Sequence, residues 1–305
     1  MSLSTTLDLS TLPPPDVVET LDFEAIYNDC VADFAARWQA RRAVKPELPD
    51  FNTIVLESDP VAILLETMSY REVLWRSRVN TAARARMLAF ARNGDLDHIG
   101  ANYNVGRLTV VPATADAPAV MESDERYRRR INLAPYAYSS AGSIEAYMFH
   151  ALTADPYVRD VAIDNPHTNR IEVTILSSLG DGTSPNDQLG LVVDALSPDS
   201  VRPLTDDVRV RSAVIITQPV ALRIVLPKGP APEPIRLLAQ QRVAEYCENR
   251  HRIGMALRGD GIIGAARSVG DLEQVIVDSP VEDIEPGISG AVFVPTVTVT
   301  TEILS

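Results

Sequence analysis

Four short stretches hold the residues from which chemistry could be built. In "GDLDHIGANYNV" (94–105), Asp95 and His98 stand three apart and share one face of a helical turn, as two metal ligands would. A zinc site needs three or four ligands, and His150, His167 and His251 lie far off with no ligand spacing. The stretch reads instead as a turn that docks a short second helix, with Asp95 as cap and Leu96 and Ile99 on its apolar side. In "GDGIIG", Gly259, Gly261 and Gly264 have the G-x-G-x-x-G spacing that brings a backbone close to a pyrophosphate, and Asp278 follows near the offset of a ribose-binding acid. That chemistry requires a buried strand just before the first glycine. The segment there, "HRIGMALR", is polar-flanked and interrupted by Gly254, and Asp260 would set a negative charge beside the phosphates. The glycines are expected to act as turns opening the helix "IIGAARSV".

The third stretch, "ERYRRR", puts Tyr127 and Ile131 on one helical face and Arg126, Arg129 and Arg130 on another. The expectation is a solvated face or inter-subunit salt bridges. Nucleic-acid contact is the competing use, but aromatics that could stack on bases are not interleaved with the arginines in a useful pattern. The fourth, "GISGA" at 287–291, ends in alanine where a serine-nucleophile elbow needs glycine. Cys30 and Cys247 form no C-x-x-C pair and read as reduced packing residues. No catalytic, cofactor-binding or metal residue is therefore assigned, and a non-enzymatic protein is expected.

Composition points the same way. The chain of 305 residues carries a net charge of −13, which argues against nonspecific nucleic-acid binding. Its length allows two or three domains. No apolar run is long enough to span a membrane. The start "MSLSTTLDLSTLPPPD" lacks the basic beginning and apolar core of a signal peptide.

The elements that would position any site begin with a long helix predicted over 59–92. Asp59 caps it, Pro60 suits its first turn, and Asn93-Gly94 ends it. At alternating spacings of four and three, Val61, Leu65, Met68, Glu72, Trp75, Val79, Ala82, Arg86 and Ala89 form a seam, apolar at seven of its nine positions and widened by Leu64 and Leu74. A second amphipathic helix runs through Leu21, Ile26, Cys30, Phe34 and Trp38. The longer helix would overhang it, and an uncovered apolar stripe needs a partner. Val61, Leu64, Leu65, Met68, Trp75, Val79 and Ala82 are therefore the expected partner-binding residues.

The remainder reads as α+β. A helix from Gly142 through Ile144, Tyr147 and Leu152 leads to strand "VRDVAI", a turn at "DNPHTN" and strand "RIEVTIL". A helix capped by Asn186 or Asp187 and the strand "DDVRVRSA" complete a first small sandwich. Strand "ITQPVALRIVL", a helix with Ile235, Leu238, Val243 and Tyr246 inward, and strands "LEQVIVDSP" and "AVFVPTVTVTTEIL" form a second. "LPKGPAPEP" reads as a loop tip. The expected organisation is a long-helix bundle region at 1–110, a first α+β unit at 111–215 and a second at 216–305.

The order "ESDPVAILLETMSYREVLWRSRVN", "LDHIGANYNV", "ESDERYRRRI", "AGSIEAY" and "VRDV" resembles the baseplate J family, assembly proteins of contractile-tailed phages and related tail-like particles. The match runs over 57–163, with "LPPPDVVETLDFEAI" before it and a looser fit after it. The resemblance implies a structural wedge protein without cofactors, located in the virion baseplate and made in the host bacterial cytoplasm. It implies that a second copy of the chain and a tail protein I homologue join it in a core bundle. A ring of such wedges would surround the central hub and spike, with a sheath-initiator wedge protein of lysozyme-like fold attached. Neither nucleic acid nor membrane is an implied partner. A nucleotide-binding enzyme using "GDGIIG" and a DNA-contacting tail protein using "ERYRRR" are the alternatives.

Overall fold

A computed structural model describes residues 9, 12–13, 15–50, 58–138, 142–167, 169–203, 205–227, 232–270 and 272–303. Of the expected loop tip at 227–234, residues 228–231 lie outside them, and 232–234 already belong to the following helix. The fold is mixed α+β, in two compact units: a helical one, Leu7–Asn102, and a larger one that begins at Tyr103.

The helical unit is an antiparallel pair, α1 (Phe23–Val44) and α2 (Pro60–Ala85), followed by short α3 (Asn93–Ala101). Asp22 caps α1 through Glu24 N and Ala25 N, and i,i+4 aromatic pairs run along it: Phe23–Tyr27 and Phe34–Trp38. Asp59 caps α2, accepting from Val61 N at 2.8 Å, and Pro60 opens it. Asn80 holds the chain ahead of α1 by a paired contact: its Oδ1 accepts from Glu19 N at 3.1 Å and its Nδ2 donates to Glu19 O at 2.8 Å.

The long helix is shorter than its sequence predicts. It stops at Ala85, and residues 86–90 form turns in which Met87, Leu88, Ala89 and Phe90 are all half-buried before fully buried Ala91. Four consecutive apolar residues on a helix would point all round it. A turn lets them all reach the interior, so packing overrides good helix formers here. Asp95 is likewise not the cap of α3. The helix starts at Asn93, whose φ of 48° fits the left-handed tolerance of asparagine, and Asp95 falls in its first turn.

In the larger unit a two-stranded arm, β1 (Thr109–Val111) with β2 (Val120–Met121), precedes α4 (Asp124–Leu133). Helices α5 (Ile144–Ala154) and α6 (Asn186–Leu196) cover a sheet of order β3-β4-β5, built from β3 (Val158–His167), β4 (Arg170–Ser177) and β5 (Asp207–Ser212). The hairpin β3–β4 turns around Asn169, and β3 continues through the segment expected to turn. The residue preceding α6 is Pro185, with no side-chain cap bond, so neither Asn186 nor Asp187 plays that part.

The chain then continues as β6 (Val214–Thr217) and β7 (Val220–Leu226), which pair in parallel with β9 (Gly290–Phe293) and β10 (Val297–Ile303). The expected final strand is thus two, because the register slips by one residue between the two ladders. Strand β8 (Gln274–Ser279) pairs antiparallel with β7, while α7 (Pro232–Arg250) and α8 (Gly259–Arg267) pack on this sheet. On α7 the buried side chains are Ala239, Val243 and Cys247; Leu238, expected inward, is exposed. The boundary expected at 215/216 falls inside β6, and a near-continuous run of strand from β5 to β7 serves three sheets in turn.

Candidate functional site

Only Ile26, Ala62, Leu65 and Ser69 are buried on α1 and α2. At about 100° per residue, Ala62, Ser69 and Asn80 mark the inward face of α2. Leu64, Met68, Trp75, Val79 and Ala82 lie along a stripe roughly a third of a turn away. Of the expected partner-binding residues, Leu64, Met68, Trp75, Val79 and Ala82 are exposed, Trp75 to 71%. Val61 is half-buried, and Leu65 faces inward at 7% exposure. Ile63, Tyr70 and Leu74 add exposed apolar surface beside the stripe. Sequence periodicity found the helix but drew the seam one position too close to the inward face at Leu65. Both faces carry leucines, and only the path of α1 separates them.

The charges along α2 differ in their partners. Arg76 bonds Glu72 at 2.6 Å and Glu19 at 3.1 Å, and these bonds raise its pKa above the ordinary arginine value. Arg71 and Arg78 are exposed and make no ion pair among the described residues. They stand four before and three after Trp75, on the flank of the stripe away from Glu72.

The "ERYRRR" arginines are not a solvated face, nor are Arg126, Arg129 and Arg130 free for other chains or for DNA. Ser123 caps α4 by accepting from Arg126 N. Glu122, just before that cap, has a fully buried carboxylate, paired with both Arg126 and Arg130 and accepting from Leu108 N at 2.9 Å. Arg130 is 2% exposed and also donates to Gly106 O at 3.1 Å and to Thr153 Oγ1 at 3.2 Å. Arg126 donates to Leu152 O at 2.6 Å and Asp155 O at 2.9 Å, closing the C-terminal end of α5. Burial lowers its pKa, and the attraction of Glu122 opposes that shift. Arg129 pairs with Asp160 at 2.7 Å. Sequence reading missed Glu122. The available signal was its position, four before Arg126 and eight before Arg130, which stacks all three on one side of a helical start.

The other candidate chemistries are dispersed. Asp95 and His98 are both exposed, and no group of metal-ligand type gathers around them among the described residues. Gly259 opens α8, and the preceding segment contributes only an isolated bridge, Leu257 to Ile284. Gly261 lies against the ring of Tyr246, where an added Cβ would sit 2.0 Å from its hydroxyl. Its bareness serves helix packing rather than a phosphate. A groove of about 420 Å³ between α7 and residues 293–297 holds Glu245, Glu248 and His251. Those groups are engaged: Glu245 by Arg242, Glu248 by Arg159, and His251 Nδ1 with Val292 O at 2.8 Å. Cys247 lines the same groove, with its thiol pushed up to about 11 by burial, so it stays protonated and inert near neutrality.

Comparison with known proteins agrees with the stretches quoted above. The family described as the baseplate J-like N-terminal domain matches residues 57–114, from the approach to α2 as far as the arm beyond β1. Baseplate protein J of Escherichia phage P2 is 41% identical over 284 residues, covering 91% of this chain and 92% of its own.

Proposed function

Because the chain belongs to the baseplate J family, we propose that it is a wedge protein of a contractile tail, joined to its neighbours through the exposed face of α2. At the coarser level it is a structural protein of the phage baseplate, and its place is the virion tail. No helix among the described residues is long and apolar enough to cross a membrane.

The observation that carries the wedge reading is the uncovered stripe. Leu64, Met68, Leu74, Trp75 and Val79 are each more than half exposed. Covering such side chains returns about 1 kcal/mol or more apiece, on the order of 5 kcal/mol for the stripe. The α1–α2 pair alone buries little, which supports the reading that other chains supply the rest of a bundle. Our reading is that a second copy of the chain and a tail protein I homologue do so. Assembly then continues around the hub and spike, with the sheath-initiator wedge protein attached. The role is architectural, without catalysis or cofactor.

Hydrogen exchange over 60–85, in the isolated chain and in the assembled particle, tests this. Strong added protection on assembly is expected. Protection already complete in the isolated chain, and unchanged in the particle, overturns it.

A further inference from the structure

We propose that the β1–β2 arm, residues 109–121, inserts into a narrow apolar groove of a different chain, where a lysine or arginine meets Asp116. Residues 111–121 are all exposed, Val111, Val120 and Met121 among them. Nine of the eleven are valine, proline, alanine or methionine, and Asp116 is their single charge. So long an exposed apolar run marks a contact surface. A two-stranded hairpin by itself is marginal in water, yet this one is held at both ends. At its base Leu108 N donates to Glu122 Oε1 and Glu122 N to Leu108 O, each at 2.9 Å, and Arg107 donates to Glu122 O at 2.9 Å. Tyr157 Oη donates to Val110 O at 3.0 Å, at the bulge in β1. At its tip Thr114 N donates to Ala117 O at 2.9 Å, and Ala117 N to Thr114 Oγ1 at 3.2 Å. The pairing of Glu122 with Arg126 and Arg130 anchors the base. Two of the "ERYRRR" arginines therefore fix the arm to the body.

The chemistry of the arm selects its receiver. Pro112 and Pro118 flank the tip, each with φ fixed by its ring. A stiff arm loses little freedom on docking, so a modest area suffices for affinity. Strand addition is disfavoured, because β1 has three residues and β2 two, and both prolines lack the N–H that a longer ladder needs. A bilayer is a poor match, since the tip has no aromatic or leucine anchor and carries an anion. Ala113, Ala115, Ala117 and Ala119 keep the arm slim, which fits a narrow groove rather than a broad face. A carboxylate taken out of water there requires a cation. The groove beside α7 does not suit this role on a second copy. Glu245 and Glu248 line it, and Asp116 would meet like charge.

The test uses the full-length chain in assembled particles. A benzophenone amino acid in place of Ala115 is photo-activated there, and the cross-linked peptides are mapped by mass spectrometry. One chain of different sequence should be captured, through a segment of apolar residues that includes a lysine or arginine. In a second measurement a tagged variant competes with the wild-type chain for incorporation. Asp116→Lys should be incorporated about tenfold less, and Asp116→Asn should fall between it and wild type. Position 116 is exposed, so the urea midpoint of both variants should match wild type. Cross-links confined to the chain's own residues, or none at all, overturn the docking of the arm. Cross-links to a second copy overturn the choice of receiver. Equal incorporation of Asp116→Lys and wild type overturns the cation. None of these variants alters α2, so hydrogen exchange over 60–85 tests the bundle reading separately.

Discussion

Replacing Glu122 by alanine should strongly destabilise the larger unit before any partner is involved. Its carboxylate is fully buried between Arg126 and Arg130 and accepts from Leu108 N. Removing one partner of a buried ion pair costs about 3–5 kcal/mol, because the remaining charge is left without compensation. Here two guanidiniums are left, one at 2% side-chain exposure and the other at 15%. Their bonds to Gly106 O, Thr153, Leu152 O and Asp155 O offset part of the loss. A figure of about 4 kcal/mol is a large share of the ~5–15 kcal/mol that holds an ordinary domain. With a urea slope near the upper end of ~1–3 kcal/mol/M, it lowers the midpoint by more than ~1 M. Near-ultraviolet circular dichroism is the suitable probe. Both tryptophans, Trp38 and Trp75, lie in the helical unit, so the tyrosine signal reports largely on the other. Arg71→Ala, at an exposed position, is the control and should change stability by less than ~0.5 kcal/mol. A Glu122→Ala midpoint within ~0.3 M of wild type would refute the reasoning. So would an Arg129→Glu, Arg130→Glu chain that is as stable as wild type yet fails to assemble, since those arginines would then face other subunits.

Further tests address the remaining sites. Trp75→Ala should leave both units folded and cost a few kcal/mol in joining partner chains, read as loss of particle assembly with an unchanged melting curve. Gly261→Ala must displace the Tyr246 ring and should cost about 1–3 kcal/mol by overpacking; an unchanged urea midpoint would contradict the packing role. Calorimetry with millimolar NAD or ATP should show no saturable heat, and a saturating signal would restore the nucleotide reading of "GDGIIG". Burial pushes the Cys247 thiol above the ordinary thiol value, to about 11, so the folded state holds its proton more tightly. Its contribution to stability is complete below the ordinary thiol pKa and falls away as pH rises toward 11. In the native protein at pH 8 it should resist alkylation and react once urea unfolds the chain, whereas rapid native labelling would show that the α7 core opens.

Much of this protein is legible in the order of its residues, because the signals concerned are local. Asp59-Pro60 starts α2 through one carboxylate and one fixed φ, and both act within a single turn. Alternating "VALRIVL" makes β7 with alternate side chains buried, since a strand two-faced in sequence is two-faced in space. Five of the seven residues chosen for the partner-facing surface emerge exposed because a helical stripe is set by spacing alone. Tertiary structure decided what depends on neighbours distant in sequence. Leu64 and Leu65 are equivalent as letters, and only the path of α1 sends one outward and buries the other. The helix that ought to run to Arg92 stops at Ala85 because packing of 87–91 outweighs helix propensity. The arginines of "ERYRRR" look solvated until Glu122, the end of α5 and the segment 106–108 converge on them, supplying the compensation that a buried guanidinium requires. Local spacing therefore determines which elements form and which faces they present, while the fate of a charge or a leucine on those faces is settled by the long-range contacts that close around it.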